Sequence, residues 1–318
     1  MAMATTTFPV PHPQLSCPWL VINQGQKRQG YSTQTFVDIA QDHYDVVSIP
    51  EMLNKRICTC AHGWLVLFDY TSDDCFLLNP VSMEKIMLPE LPPAPLNSFD
   101  TCILSAPPTD PECVVILVTT DSHALFLRLG ESRWTEQYLR SEQEVFSQAA
   151  VCRRKIYGLA PGGTLVTVKV VGSKLVVTEL GAEELPNEAI PEAFQFFYDI
   201  VESCGELFGV VKYYLGGTLK IREVEVYKLD FSRLAWTKVE SLGNRAFFLS
   251  GTTCNFSCPT TTTAESRVKQ NCIYFIEGND RDLYVFDMEN YSISFSTPCP
   301  VKSNWSQPRW VMPAAASS

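Results

Sequence analysis

The chain has 318 residues and a formal net charge of −10, an acidic balance that argues against phosphate backbones and anionic membrane surfaces as partners. Hydrophobic residues make up 46% and charged residues 19%, a globular balance in a chain long enough to bury a sizeable core. No run approaches 18 consecutive apolar residues, which excludes a helical membrane span of the usual kind.

The first 16 residues, "MAMATTTFPVPHPQLS", lack a basic start followed by an apolar core, so no secretory signal is expected. The domain expectation is a disordered leader at 1–16, one folded domain over 17–313 and a disordered tail at 314–318. Without a signal, the twelve cysteines are expected as thiols in a reducing cytoplasm or nucleus. The leader is acid-free and contains Thr, which leaves organelle import as a lesser alternative. The sequons at Asn255, Asn290 and Asn304 are then expected to stay unglycosylated. Lys27–Arg28 and Arg153–Arg154–Lys155, the dense basic runs, read as solvated turns.

Helical periodicity is scarce. Residues 34–42, "QTFVDIAQD", have room for a turn or two, and "LPNEAIPEAFQFF" is broken by Pro186 and Pro191. Strand signals are abundant and come in sets of three. A weaker set is "PWLVI", "TFVDI", "YDVVSIP" within 18–50. Then follow "GWLVLFD", "CFLLNP", "KIMLPEL" (63–91) and "CVVILVTT", "ALFLRLG", "WTEQYL" (113–139). "KIYGLA", "TLVTVKV", "KLVVTEL" (155–180) and "ELFGVVKYY", "EVEVYKLD", "AWTKVESL" (206–242) come next, and "CIYFIEG", "LYVFDME", "SISFS" (272–296) ends the series. Phe76, Phe126, Val166, Val226 and Val285 stand near the middle of the second run of each strong set. Their steps of 50, 40, 60 and 59 residues are a loose repeat of the propeller kind. The fold expected is all-β: a propeller, six blades of antiparallel strands, closed by pairing of the N- and C-terminal segments. Two stacked β-sandwiches would give evenly spaced strands without sets.

The chemical inventory is thin. Asp69, Asp73 and Asp74 cluster within six residues, and Asp280/Asp282 and Glu202/Glu206 are further carboxylate pairs. The first two groups fall between successive strands of a set, where Asp, Asn, Gly and Ser favour turns. His12, His43, His62 and His123 show no metal-ligand spacing and read as turn or surface residues. Cys58-x-Cys60 is too tight for a zinc knuckle. Cys254 and Cys258 lack a second pair at finger distance, and Cys272 reads as a small buried hydrophobe. Gly162–Gly163 and Gly216–Gly217 open hairpins, not phosphate loops. Trp64, Trp134, Trp236 and Trp310 recur near blade strands, as packing residues or as a binding surface. No catalytic, cofactor-binding or metal-ligating residue is nominated, no cofactor is expected, and partner-binding residues stay unassigned.

The segment 247–290 carries Phe248–Leu249, Asn255–Phe256–Ser257, Asn271–Cys272–Ile273–Tyr274–Phe275 and Val285–Phe286–Asp287. With "CPWLVI" (17–22), "GWLVL" (63–67), "NPVSMEKIMLPEL" (79–91) and "RWVMP" (309–313), it resembles the plant KIB-type β-propeller family common in F-box proteins. The resemblance spans residues 17–313. It departs from the family in the Thr-rich loop "SCPTTTTAESRVKQ", where Gln270 replaces the usual Gly, and in having only 16 residues before Cys17, too few for an F-box. Binding to the Skp1 adaptor is therefore not implied. The repeated blade pattern and the empty catalytic inventory point to a non-catalytic interaction propeller with a protein partner, its contacts carried by loops such as 92–112 and 251–270. The resemblance implies a regulatory role related to substrate recognition by plant ubiquitin-ligase F-box proteins. Two alternatives stay open: a ligase receptor whose F-box is missing from this chain, and an enzyme with a site in the central pocket.

Overall fold

The computed structural model describes residues 17–26, 30–69, 72, 74–92, 99–119, 122–139, 145–185, 194–216, 221–251, 253–260, 266–276, 282–297 and 308–312. The leader and tail, Lys27–Arg28, Asp73, Asp280, His12, Asn304 and Gly217 lie outside these residues.

Six sheets radiate from one axis. Blade one holds β1 (Trp19–Gln26), β2 (Gly30–Asp38) and β3 (His43–Val47). Blade two holds β4 (Lys55–Ala61), β5 (Trp64–Asp69), β6 (Cys75–Leu78) and β7 (Lys85–Met87). Blade three holds β8 (Phe99–Leu104), β9 (Val114–Thr119), β10 (His123–Arg128) and β11 (Thr135–Tyr138). Blade four holds β12 (Gln148–Cys152), β13 (Lys155–Leu159), β14 (Leu165–Val171) and β15 (Lys174–Glu179). Blade five holds β16 (Phe194–Ser203), β17 (Glu206–Leu215), β18 (Ile221–Asp230) and β19 (Ala235–Lys238). Blade six holds β20 (Arg245–Leu249), β21 (Phe256–Pro259), β22 (Cys272–Ile276), β23 (Leu283–Asp287) and β24 (Ser292–Ser296). The last strand, β25 (Arg309–Val311), returns to pair antiparallel with β1, Leu20 opposite Trp310, and gives blade one its inner strand. The propeller, its six blades and its terminal closure are as the sequence led us to expect.

The sets are the outer three strands of each blade. The fourth, axial strand was missed in blades two to five: "KRICTCA", "FDTCIL", "QAAVC" and "FQFFYDIVES". The room for a turn or two within 34–42 is taken by a turn at 39–42. Residues 34–38 continue β2, and Phe194 onward is β16. His123, expected in a turn, opens β10 and is buried, stacked on Tyr138 with ring centroids 4.6 Å apart.

Six hydrophobic clusters fill the seams between neighbouring blades. Strand alternation divides each blade between two of them. In β5, Leu65 and Leu67 face blade one while Trp64, Val66 and Phe68 face blade three. Both faces of the inner strands are thus covered, which is why "WLVLFD" and "VVILVT" read as continuous apolar runs rather than alternating ones. The outermost strands alternate, as in the exposed–half-buried–exposed Lys85–Met87. Trp64, Trp134, Trp236 and Trp310 all lie in these seams, so they are packing residues.

One turn recurs between the third and fourth strands. Asp38, Asn79, Asp230 and Asp287 each accept two backbone N–H bonds from the residues two and three ahead. The Asx side chain imitates a backbone turn, and it does so at the same place in four blades.

Candidate functional site

On one face of the disc, here the upper face, hairpins join the first and second strands. His62–Gly63, Arg153–Arg154 and Cys204–Gly205 each turn with both residues left-handed, the tight hairpin geometry that suits twisted strands. These turns bring side chains to the mouth of the axial channel.

The channel is closed at mid-height. After β20 the chain crosses the axis through Thr253–Asn255 and then climbs beside β16 as β21. Thr253 Oγ1 donates to the Cys102 carbonyl of blade three at 2.6 Å and reaches Thr59 of blade two at 3.5 Å. The Cys254 thiol faces the Cys58 carbonyl and Thr59. Asn255 Nδ2 donates to Asp199 Oδ1 and the Ile200 carbonyl of blade five, each at 3.2 Å, and approaches Gln148 Oε1 of blade four at 3.5 Å. Its Oδ1 accepts from Ser250 N–H at 2.9 Å. Asp199 is paired with Lys212 at 3.2 Å, both side chains almost wholly buried. Higher up, the Ser257 and Ser203 hydroxyls are 2.8 Å apart, and Arg245 donates to both Ser203 and Glu206. The plug therefore ties blades two to five together. Of the expected contact loop 251–270, residues 253–258 pack inward, and Thr253, Asn255, Phe256 and Ser257 line a cavity there. Those residues enter the channel because its polar inner strands supply their hydrogen-bond partners. Residues 252 and 261–265 lie outside the described residues. The sequon at Asn255 is engaged inside the plug, whereas Asn290 is exposed in a turn.

Above the plug remains a blind cavity of about 230 Å³, floored by Thr253 and Asn255 and walled by Thr59, Ala61, Leu104 and Ala149. His62, Val151 and Glu202 line both this cavity and a wider groove of about 770 Å³ running out between blades three and four. The groove has an apolar floor of Val114, Val151, Ile156 and Val168, and its rim carries both charges. Arg154 pairs with Asp110 at 2.8 Å, and Arg128 pairs with Glu112. The Glu112 N–H, then Arg154, holds the Asp110 carboxyl below the usual range. Desolvation of the His62 ring outweighs its bonds to the Leu104 and Ser105 carbonyls and keeps its pKa low, so it is neutral near pH 7. Of the expected contact loop 92–112, residues 105–107, 110 and 112 do line the groove, while 93–98 lie outside the described residues.

The carboxylates of the sequence reading disperse. Asp69 is buried against Lys55 at the β5–β6 hairpin, and Asp74 accepts from Ser72. Glu202 accepts the Gly205 N–H at 2.7 Å, whereas Glu206 is claimed by Lys228 and then Arg245, which lower its pKa. Asp282 accepts from Thr297. His43 lies exposed beside Asp45. Among the described residues no group of three or more His, Cys, Asp or Glu is placed to hold a metal ion. Cys58, Cys60, Cys254 and Cys272 are buried thiols, and burial raises the last three.

A propeller with this strand order invites comparison with known families, and the KIB1-4 beta-propeller description matches residues 36–287. The chain belongs to that family. Its curated relatives include an F-box/kelch-repeat protein of Arabidopsis thaliana, 31% identical over 165 residues, covering 47% of this chain and 42% of the relative. A second Arabidopsis F-box/kelch-repeat protein is 24% identical over 297 residues, 87% of this chain and 76% of the relative. The chain thus spans less than half of the first relative's length and about three quarters of the second's. Among solved structures, apo AztD from Citrobacter koseri aligns over 92% of this chain and 98% of its own, at 10% identity and a TM-score of 0.39. The blade assignment rests on the strand pairing itself. Within this KIB1-4 propeller, the motif "NFS" at 255–257 starts in the plug at Asn255 and runs on into β21, and a crossing of the axis has no local signature.

Proposed function

We propose that this KIB1-4 propeller is a non-catalytic interaction module whose upper-face groove receives a segment of a protein partner. The observation that carries this reading is the axial plug. It turns the channel into a shallow blind cavity whose floor groups are bonded to the surrounding blades, and the cavity opens into a larger groove with an apolar floor and a mixed-charge rim. Such a surface suits a peptide with an apolar anchor flanked by polar residues. Two relatives bear F-box names, which supports a role in choosing partners for a ubiquitin ligase. The acidic net charge supports a protein partner over nucleic acid or an anionic membrane. The compartment proposed is cytoplasm or nucleus, read by imaging a tagged chain.

The test is affinity capture from plant extract with the natural chain, an Arg154→Glu variant and a Lys85→Glu variant on the outer edge of blade two. Proteins whose recovery falls about tenfold or more with Arg154→Glu alone are the expected result. Equal recovery with all three baits would count against the groove. One observation favours an enzyme instead: His62 and Glu202 line the same cavity. If so, a broad hydrolase screen should find turnover that His62→Gln abolishes.

A further inference from the structure

Two thiols meet where the ring closes. Cys17 stands just before β1 of blade one, and Cys258 lies in β21 of blade six. Their sulfur atoms are 3.1 Å apart although 241 positions separate them in the chain. Both belong to the hydrophobic seam between blades six and one, and both are free. Cys17 is partly exposed and Cys258 is buried, so one sulfur can be reached from solvent and the other is shielded. The hydrogen bond from Cys258 holds the Cys17 thiol below its ordinary pKa, whereas its counterpart at Cys258 is pushed up. The difference in exposure suits an attacking and a resolving pair.

We propose that Cys17 and Cys258 are a peroxide-oxidisable pair whose disulfide staples blade six to blade one. The Cys17 thiolate attacks hydrogen peroxide. An S–O bond forms, the O–O bond breaks, and hydroxide leaves to take a proton as water. Cys258 sulfur then attacks the Cys17 sulfenic acid. The S–S bond forms, the S–O bond breaks, and the departing hydroxide leaves as water with the Cys258 proton. Two thiols lose two electrons and the peroxide is reduced to two waters. The seam held by β25 on β1 would gain a covalent link bypassing that pairing, so the ring could no longer open there.

The experiment treats the natural chain with hydrogen peroxide and maps its peptides without reduction. The expected product is monomeric, two hydrogens lighter, with the Cys17 and Cys258 peptides joined. Its unfolding midpoint should rise by roughly 5–10 °C, as closing so long a loop implies, and fall back on reduction. Cys17→Ser should keep the reduced midpoint and show no rise. Recovery of Cys17 as a sulfinic acid with Cys258 free would overturn the proposal. So would Cys17 joined to the exposed Cys204 of a second copy. The peptide map on the natural chain decides the matter even if a variant misfolds.

Discussion

Both ends of the Asn255 amide are engaged in closing the axis, and it is the neutral partner of a buried carboxylate. Removing it leaves the buried Asp199 with one fewer donor. Asn255→Ala should lower unfolding stability by about 2–3 kcal/mol in urea titration. Asn255→Asp should cost more, because it sets a second carboxylate beside the first. A second residue-scale case is Glu225, buried in blade five. Burial would raise its pKa, but Lys238, Tyr213 and Tyr227 all donate to it and hold it below the usual carboxylate value. A depressed folded pKa contributes stability above the unfolded pKa of about 4.3, and that contribution is lost as pH falls through the folded value. Glu225→Gln should therefore be less stable by about 1–3 kcal/mol at pH 7, with the gap to the natural chain closing as pH falls through the depressed folded value. A gap that stays constant with pH would show that the carboxylate's charge is not what the three donors stabilise.

At the scale of the strand, the limiting quantity is space. Gly209 in β17 lies under Leu185, and a Cβ built there would sit 2.6 Å from a Leu185 methyl. Leu185 is itself buried, so it has little room to yield. Gly209→Ala should destabilise by about 1–3 kcal/mol. Adding Leu185→Ala should return part of that loss, a non-additivity that chemical denaturation of the four chains would measure. The hairpins show how much of an element was legible beforehand. In blade two the runs "GWLVLFD", "CFLLNP" and "KIMLPEL" are found as strands Trp64–Asp69, Cys75–Leu78 and Lys85–Met87. Its boundaries were readable because apolar runs stop at Asx turns, and both are local. The axial strands were not readable. Thr59, Thr101, Gln148 and Asp199 interrupt their apolar pattern, since one edge of each looks into the polar channel. β20 and β22 run parallel with β21 folded inward, an arrangement that no pattern of two or three residues can announce.

For the whole molecule, the question is how a ring of separate sheets becomes one cooperative unit. The closing strand is short, and Trp310 is its anchor. It is fully buried, its Nε1–H donates to the Leu249 carbonyl at 2.9 Å, and its ring meets Phe248 edge-on with centroids 5.1 Å apart. Trp310→Ala should cost about 3–5 kcal/mol. Because it opens the seam between blades one and six, hydrogen exchange should speed up first in those two blades rather than uniformly. Uniform acceleration would mean that the blades unfold together from any seam.

By itself, the sequence determined the blade: its outer three strands, its turn residues, the repeat that makes a ring, and the family. These depend on residues within a few positions of each other, on strand alternation and on Asx turn chemistry. Only the tertiary structure decided what fills the axis, which strands line it, that four tryptophans pack seams, and that Cys17 meets Cys258. Each of those depends on side chains brought together from different blades, and that meeting exists only once the ring has closed.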